Sequence, residues 1–282
     1  MSIHQTVTDQ IVAHLEQGVT PWRKEWRSTL PTNVLTNANY TGVNIPVLWC
    51  SALANGFKSS QWGTYKQLQG KGIQVLKGSK ATTGVFFKTL TKETEQGEDS
   101  KFFIARAFHL FNLDQTDYIK AEHPTPEITP LISKASDIAE ALGVEVNEGD
   151  PCYIPSKDSI RMPKFHDFYT YTAYFSTMAH ECSHATGHKT RLDRSLSGRF
   201  GDDSYAMEEL IAELSAAFIC AENNLGYDNN HASYLASWLK VLRQDPKAIF
   251  TVSAQAQKAS NYIKEAVTNL NIQREIDVAK AA

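Results

Sequence analysis

Three prolines, Pro124, Pro126 and Pro130, fall within the run NLDQTDYIKAEHPTPEITP at 112–130. Each lacks a backbone N–H and fixes its own φ, so no helix can continue through the run and an extended connector is favoured. What lies before and after it must build its own elements. A chain of 282 residues can supply two modest cores, and 42% hydrophobic content is well above that of a chain that stays disordered. The expected division is a front domain over 1–115, a proline-rich linker over 116–130 and a back domain over 131–282.

The two sides differ in texture. The front opens with an amphipathic helix on which Val7, Ile11, Val12, Leu15 and Val19 recur at helical spacing, ended by Gly18 and Pro21. Runs rich in aromatic and β-branched residues follow: TGVNIPVLW (41–49), GIQVLKG (72–78), TTGVFFKTL (82–90) and KFFIARAFHLF (101–111), read mainly as strands with helical insertions, broken by Gly, and with an acidic hairpin tip over 93–100. In the back, a helix is predicted over 131–142, then short strands at VEV, CYIP and SIRMP, then helices over 168–187, 204–223, 231–243 and 246–270. The expected fold class is α+β: a mixed front domain and a mainly helical back domain with a small sheet.

Charge follows the same division. Lys+Arg number 28 against 31 Asp+Glu overall, but residues 1–125 hold 13 against 10, a mildly basic front before an acidic back. No run approaches 18 apolar residues and the first residues show no signal-peptide pattern, so the expectation is a cytoplasmic protein with no membrane partner. Four scattered cysteines without a CxxC pair suit that reduced setting.

The sharpest chemical signal is HECSH at 180–184, inside a predicted helix. Residues four apart on a helix lie about 40° round and about 6 Å along, so His180 and His184 project from one face and can grip one ion. Glu181 falls beside the ion's open position, where it can take a proton from water and later deliver it to a leaving group. This is the mechanical content of the HExxH zinc-peptidase motif. His188 would lie about 12 Å along the axis from His180, too far for the same ion, and is read as a helix-end residue. A better third ligand lies on the next helix, where Glu209 and Glu213 share one face amid apolar neighbours. Glu209 is taken as the ligand and Glu213 as the group holding a ligand imidazole by its other nitrogen, with Glu208 the fallback ligand. Zinc is the expected ion and manganese the alternative at a His2Glu site. His231 and Tyr234 are candidate donors to an oxyanion, and SIRMP is read as completing the small sheet, with pairing to an extended peptide as an edge strand the alternative.

HECSHATGHKTRLDR, FGDDSYAMEELIAELSAAFI and HASYLASWLKVLRQDPKAIF resemble the C-terminal zincin-like domain of ArdC-type antirestriction proteins of conjugative plasmids. IVAHLEQGVTPWRKEW, GVNIPVLW and QWGTYKQLQGKGIQVLKGSKATTGVFF are similar to that family's N-terminal single-stranded DNA-binding domain, and the likeness covers nearly the whole chain. Similar front domains occur in plasmid primases of the TraC type. The resemblance implies a protein that shields incoming DNA from host restriction during conjugation. It places the family's metal site on His180, His184 and a glutamate of EELIAEL, with Glu181 as general base. A protein substrate, or the host restriction enzyme itself, would be a second partner. The rival reading is a single-stranded DNA shield whose metal site is structural and non-catalytic.

The front half fits nucleic acid on its own terms. Between 58 and 92 the chain carries Lys58, Lys66, Lys71, Lys77, Lys80, Lys88 and Lys92 with no acidic residue among them. Trp62 and Tyr65 within that run, and Trp22, Trp26, Tyr40 and Trp49 before it, are candidate stacking platforms. Part of this aromatic set must instead be core in so small a unit. The expected DNA contacts are Arg23, Lys24, Tyr40, Lys66, Lys71, Lys77 and Lys80.

Overall fold

A computed structural model describes residues 2–23, 29–93, 99–118, 132, 134–194, 202–227 and 232–281. Helix α1, Ile3–Glu16, is capped by the Ser2 side chain and buries Val7, Ile11, Val12 and Leu15. It stops two residues before Gly18, whose left-handed backbone (φ 73°) turns the chain away. Helix α2, Asn44–Asn55, overturns the strand expected at 41–49. Pro46 sits in its first turn, where a missing N–H costs nothing, and Ile45, Val47, Leu48 and Trp49 are all buried. Burial of those side chains outweighs the few tenths of a kcal/mol per residue by which β-branched residues disfavour helix. The strand expected at 72–78 is also absent: Gly72 and Gly78 turn the chain at positive φ, leaving one isolated bridge, Val75 to Thr116.

The front sheet has four strands. β1 is Thr32–Asn33, β2 is Gln61–Gly63, β3 is Thr82–Glu93 and β4 is Asp99–Asn112, in the order β1-β2-β4-β3. The expected β3 and β4 strands form one long antiparallel hairpin, from Thr82↔Leu110 to Glu93↔Asp99. Of the expected tip at 93–100, Glu93, Asp99 and Ser100 belong to the strands and residues 94–98 lie outside the described residues, as does most of the linker. Between β2 and β3 runs a short helix, α3, Tyr65–Gly70, capped by Thr64 and Gln67.

In the back half α4, Ser136–Leu142, starts later than expected and ends on Gly143. The small sheet contains β5 (Glu145–Glu148), β6 (Cys152–Ile154) and β7 (Ser159–Met162) in the order β5-β7-β6. SIRM is therefore the central strand, paired on both sides, and cannot receive an extended peptide at its edge. Four helices follow: α5 (Tyr171–Ala185), α6 (Asp203–Glu222), α7 (Leu235–Gln244) and α8 (Ala248–Ala281). Every residue of α6 from 208 to 221 is buried, made possible by the small side chains of Ala212, Ser215, Ala216, Ala217 and Ala221, and it packs between α5 and α8.

One continuous core joins the halves. Trp22 lies 6.2 Å from Trp238, Trp49 lies 5.9 Å from Phe218 and Phe87 lies 6.2 Å from Phe250, ring centre to ring centre. The Thr8 hydroxyl donates to the Pro246 carbonyl at 2.7 Å. No described helix is long and apolar enough to cross a membrane.

Candidate metal centre

The crossing of α5 and α6 sets the site. Thr170 caps the start of α5. The Ser183 hydroxyl bonds the Ala179 carbonyl at 2.7 Å and Ser215 at 2.9 Å, fixing one helix against the other. That register brings His180, His184 and Glu209 together, with one donor atom from each lying within 4.8 Å of the others. Both Nε2 atoms face the same carboxylate: His180 Nε2 is 3.6 Å from Glu209 Oε2, and His184 Nε2 is 3.6 Å from Glu209 Oε1. The two Nε2 atoms are themselves 3.2 Å apart, with the rings nearly perpendicular at 84°.

The opposite ring nitrogens each meet a second carboxylate. Glu213 Oε2 lies 3.9 Å from His180 Nδ1, and Glu208 Oε1 lies 3.3 Å from His184 Nδ1. Glu208, the fallback ligand of the sequence, thus stands behind a histidine rather than beside the Nε2 pair. Arg194 holds it with two bonds, Nη2 to Oε1 at 2.7 Å and Nε to Oε2 at 3.0 Å, while also reaching Thr186 and the Ser183 carbonyl at 2.8 Å. Trp22 Nε1–H donates to Glu213 Oε1 at 3.1 Å, and the Tyr227 hydroxyl donates to Oε2 at 2.7 Å.

The electrostatics fit a cation. Burial alone would raise the Glu209 carboxyl, yet the hydrogen bond from His180 and the charge of His184 bring it down to about 2. Burial favours neutral His184, but Glu208 and Glu209 lift its pKa to about 9. A proton on the imidazole therefore does what a metal ion would do there. At Glu213 burial wins over His180, Tyr227 and Trp22, raising it to about 7. A buried and a half-buried imidazole whose Nε2 atoms converge on one carboxylate are the donor set that suits a divalent transition metal.

Glu181 is buried beside this group, close enough for its charge to act on His184 and on the Tyr234 phenol. Tyr234 bonds Tyr205 at 3.2 Å, oxygen to oxygen, and Tyr205 in turn bonds Glu209. His231 lies outside the described residues. His188 stands apart, past the end of α5, against Thr190 at 2.8 Å and Asp158 at 3.8 Å.

The front half sorts its aromatics clearly. Trp22, Trp49 and Trp62 are buried and cannot stack on bases, which corrects their reading as platforms. Tyr40 is half-buried, its hydroxyl tied to Asn33 at 3.1 Å and to the Trp62 carbonyl at 3.4 Å. Arg23, Lys66, Lys71, Lys77 and Lys80 are exposed, and Lys24 and Trp26 lie outside the described residues. Exposed aromatics that composition did not single out are Phe86 and Phe87. Phe86 pairs across the hairpin with exposed Arg106, beside the Phe108 ring 6.0 Å away, and Lys88 shares that face. Arg194 and Tyr227 were missed because nothing in their spacing ties them to α6.

Comparison with known proteins follows this division. Residues 1–111 match a family model described as the N-terminal domain of anti-restriction factor ArdC, and 133–255 match one for a zincin-like metallopeptidase. The crystal structure of antirestriction protein ArdC from plasmid R388, metal-free, superposes with a TM-score of 0.81 at 36% identity, covering 95% of this chain and 99% of that one. The chain belongs to the ArdC antirestriction family. The Mn(II)-bound structure of the R388 ArdC protein matches at TM-score 0.79 and 34% identity, again over 95% of this chain and 99% of that one. Protein y4eC of Sinorhizobium fredii is 39% identical over 93% of this chain and 91% of its own length. Two DNA primases TraC of Escherichia coli share 31% and 33% identity over 92% of this chain, which spans only 27% and 20% of their lengths. ArdC membership and the zincin-like domain imply a metal, and the α+β class, with helices dominating the back half, is the family's.

Proposed function

We propose that this protein binds single-stranded DNA through its front half and holds a catalytic divalent cation, zinc or alternatively manganese, on His180, His184 and Glu209, protecting plasmid DNA from host restriction in the recipient cytoplasm during conjugation. The convergence of both Nε2 atoms on Glu209 carries the metal part of this reading. When bound, the cation supplies Lewis acidity for peptide hydrolysis. Glu181 accepts the proton of the attacking water and returns it to the leaving amine. Glu208, 3.3 Å from His184 Nδ1, and Glu213, 3.9 Å from His180 Nδ1, set carboxylate charge behind the imidazoles, and Tyr234, bonded to Tyr205, is the candidate donor to an oxyanion. Three converging protein donors among the described residues favour a catalytic over a closed structural site, which would take four. The partner of this chemistry is a protein, the host restriction enzyme being one candidate.

For DNA, the exposed lysines and the Phe86–Arg106 face offer charge and stacking together, with Phe86 worth about 1–3 kcal/mol per stacked base. In mobility-shift titrations single strands should bind ahead of duplex, more weakly as salt rises; equal binding to both would sink the DNA reading. The variants His180→Ala and His184→Ala should each lose stoichiometric metal. Glu181→Gln should keep the metal and lose peptidase activity. If that variant still protects DNA in cells, proteolysis is not the protective step and the shield reading stands.

A further inference from the structure

Glu213 is 1% exposed, and a carboxylate so deeply placed needs donors on its oxygens. Tyr227, from the turn after α6, supplies one. The other is Trp22, from the front half, 191 positions away in sequence, with its indole N–H at 3.1 Å from Oε1. Trp22 is itself 1% exposed, seated against Trp238 of α7, so its ring has little freedom to swing away. A carboxylate gripped from both sides fixes a charged edge 3.9 Å from His180 Nδ1, longer than a direct hydrogen bond, and a charge fixed there favours the ring orientation and tautomer that turn the Nε2 lone pair toward Glu209. The order of contact runs from the front half to the ion: Trp22, Glu213, His180.

We propose that Trp22 is a positioning residue of the metal centre, so that the DNA-binding half of the chain supplies part of the surroundings that make the back half bind metal. This rests on the metal site proposed above. Trp22 touches neither ion nor substrate; it acts through Glu213. It follows that metal affinity belongs to the joined halves. Because linkage is reciprocal, any ligand that shifts the Trp22 segment must change metal affinity by the factor by which metal changes that ligand's affinity.

The test uses the full-length protein and Co(II), whose visible d–d bands report ligand geometry, with a competing chelator to measure affinity. Trp22→Phe keeps an aromatic ring and removes the donor. It should weaken Co(II) by about tenfold and alter the bands, the lower end of what loss of such an outer partner costs. Trp238→Phe is the packing control: it removes an indole from the same cluster that makes no bond to Glu213, and it should change affinity by less than about twofold. In a Glu213→Gln background Trp22→Phe should add little further loss, since both act along one path.

Wild-type affinity in Trp22→Phe, with metal lost in His180→Ala, would overturn this inference and leave the metal site standing. Equal loss in Trp22→Phe and Trp238→Phe would reduce Trp22 to packing and also overturn it. Metal retained by His180→Ala would remove the site and the inference together. Should Trp22→Phe fail to fold, the indole N–H resonance of Trp22 in 15N-labelled wild-type protein decides: it should move on adding Zn(II), and a resonance that stays put refutes the proposal.

Discussion

Glu208 and Glu209 are neighbours in sequence yet meet different faces of the site, because successive helix residues are turned about 100° apart. Glu209 meets both Nε2 atoms; Glu208 meets His184 Nδ1 and Arg194. His180, His184 and Glu209 were legible from i, i+4 spacing and from a carboxylate on an otherwise apolar helix. The assignment of Glu208 was not, since its partner Arg194 comes from the turns beyond α5, where no periodicity gives direction. Asp158 shows a second such contact, bonding Arg191 and the Tyr153 hydroxyl and so tying the end of α5 to the small sheet. Burial pushes this carboxyl up, but Arg191 and Tyr153 outweigh it and hold it below its usual value. A depressed carboxylate stabilises the fold fully above its unfolded pKa near 4, and the contribution is lost as pH falls through the folded value. Asp158→Asn should therefore lower stability by about 1 kcal/mol at pH 7, solvent access keeping the effect small. Urea midpoints of the variant and wild type should converge as pH falls below the folded pKa of this carboxyl; a gap that persists in strong acid would contradict this account.

Helices α5 and α6 can approach closely because small residues line their contact, with Ser183 bonded to Ser215 and both fully buried. Glu209 and Glu213 reach the histidines only at that separation. Ser215→Leu would force a larger side chain into the seam, at a cost of about 1–3 kcal/mol. Thermal melting should show the loss, and metal affinity should fall with it. Weaker folding with unchanged metal affinity would show that the seam does not set the site. At this scale long amphipathic segments were legible, and α1, α5, α6 and the β3–β4 hairpin formed where periodicity placed them. Short apolar runs were not. GVNIPVLW carries the same residues whether it becomes a buried strand or a buried helix, and only packing of Ile45, Val47 and Trp49 into the common core decides for α2. SIRM completes the small sheet as expected, but as its centre, so the alternative edge-strand role fails: β5 and β6, which precede it in the chain, flank it on both sides.

The proline-rich connector divides the sequence more sharply than it divides the packing. The two family models lie on either side of it, yet Trp22, Trp49 and Phe87 of the front half sit against Trp238, Phe218 and Phe250 of the back. Contacts between residues about 160 to 220 positions apart leave no mark on local composition, so this union was invisible in the sequence. Charge follows the sequence division instead, with exposed lysines on the front and four buried glutamates, Glu181, Glu208, Glu209 and Glu213, gathered around two imidazoles in the back. The proposed metal centre lies where these patterns meet, with Glu213 bonded across the halves by Trp22. Anomalous diffraction from crystals of the full chain loaded with Zn(II) tests this most directly. The account predicts one peak per chain, about 2 Å from His180 Nε2, His184 Nε2 and a Glu209 oxygen, with an exchangeable water completing the coordination. A peak elsewhere, or a fourth protein ligand such as Glu208 or His188 closing the site, would contradict it.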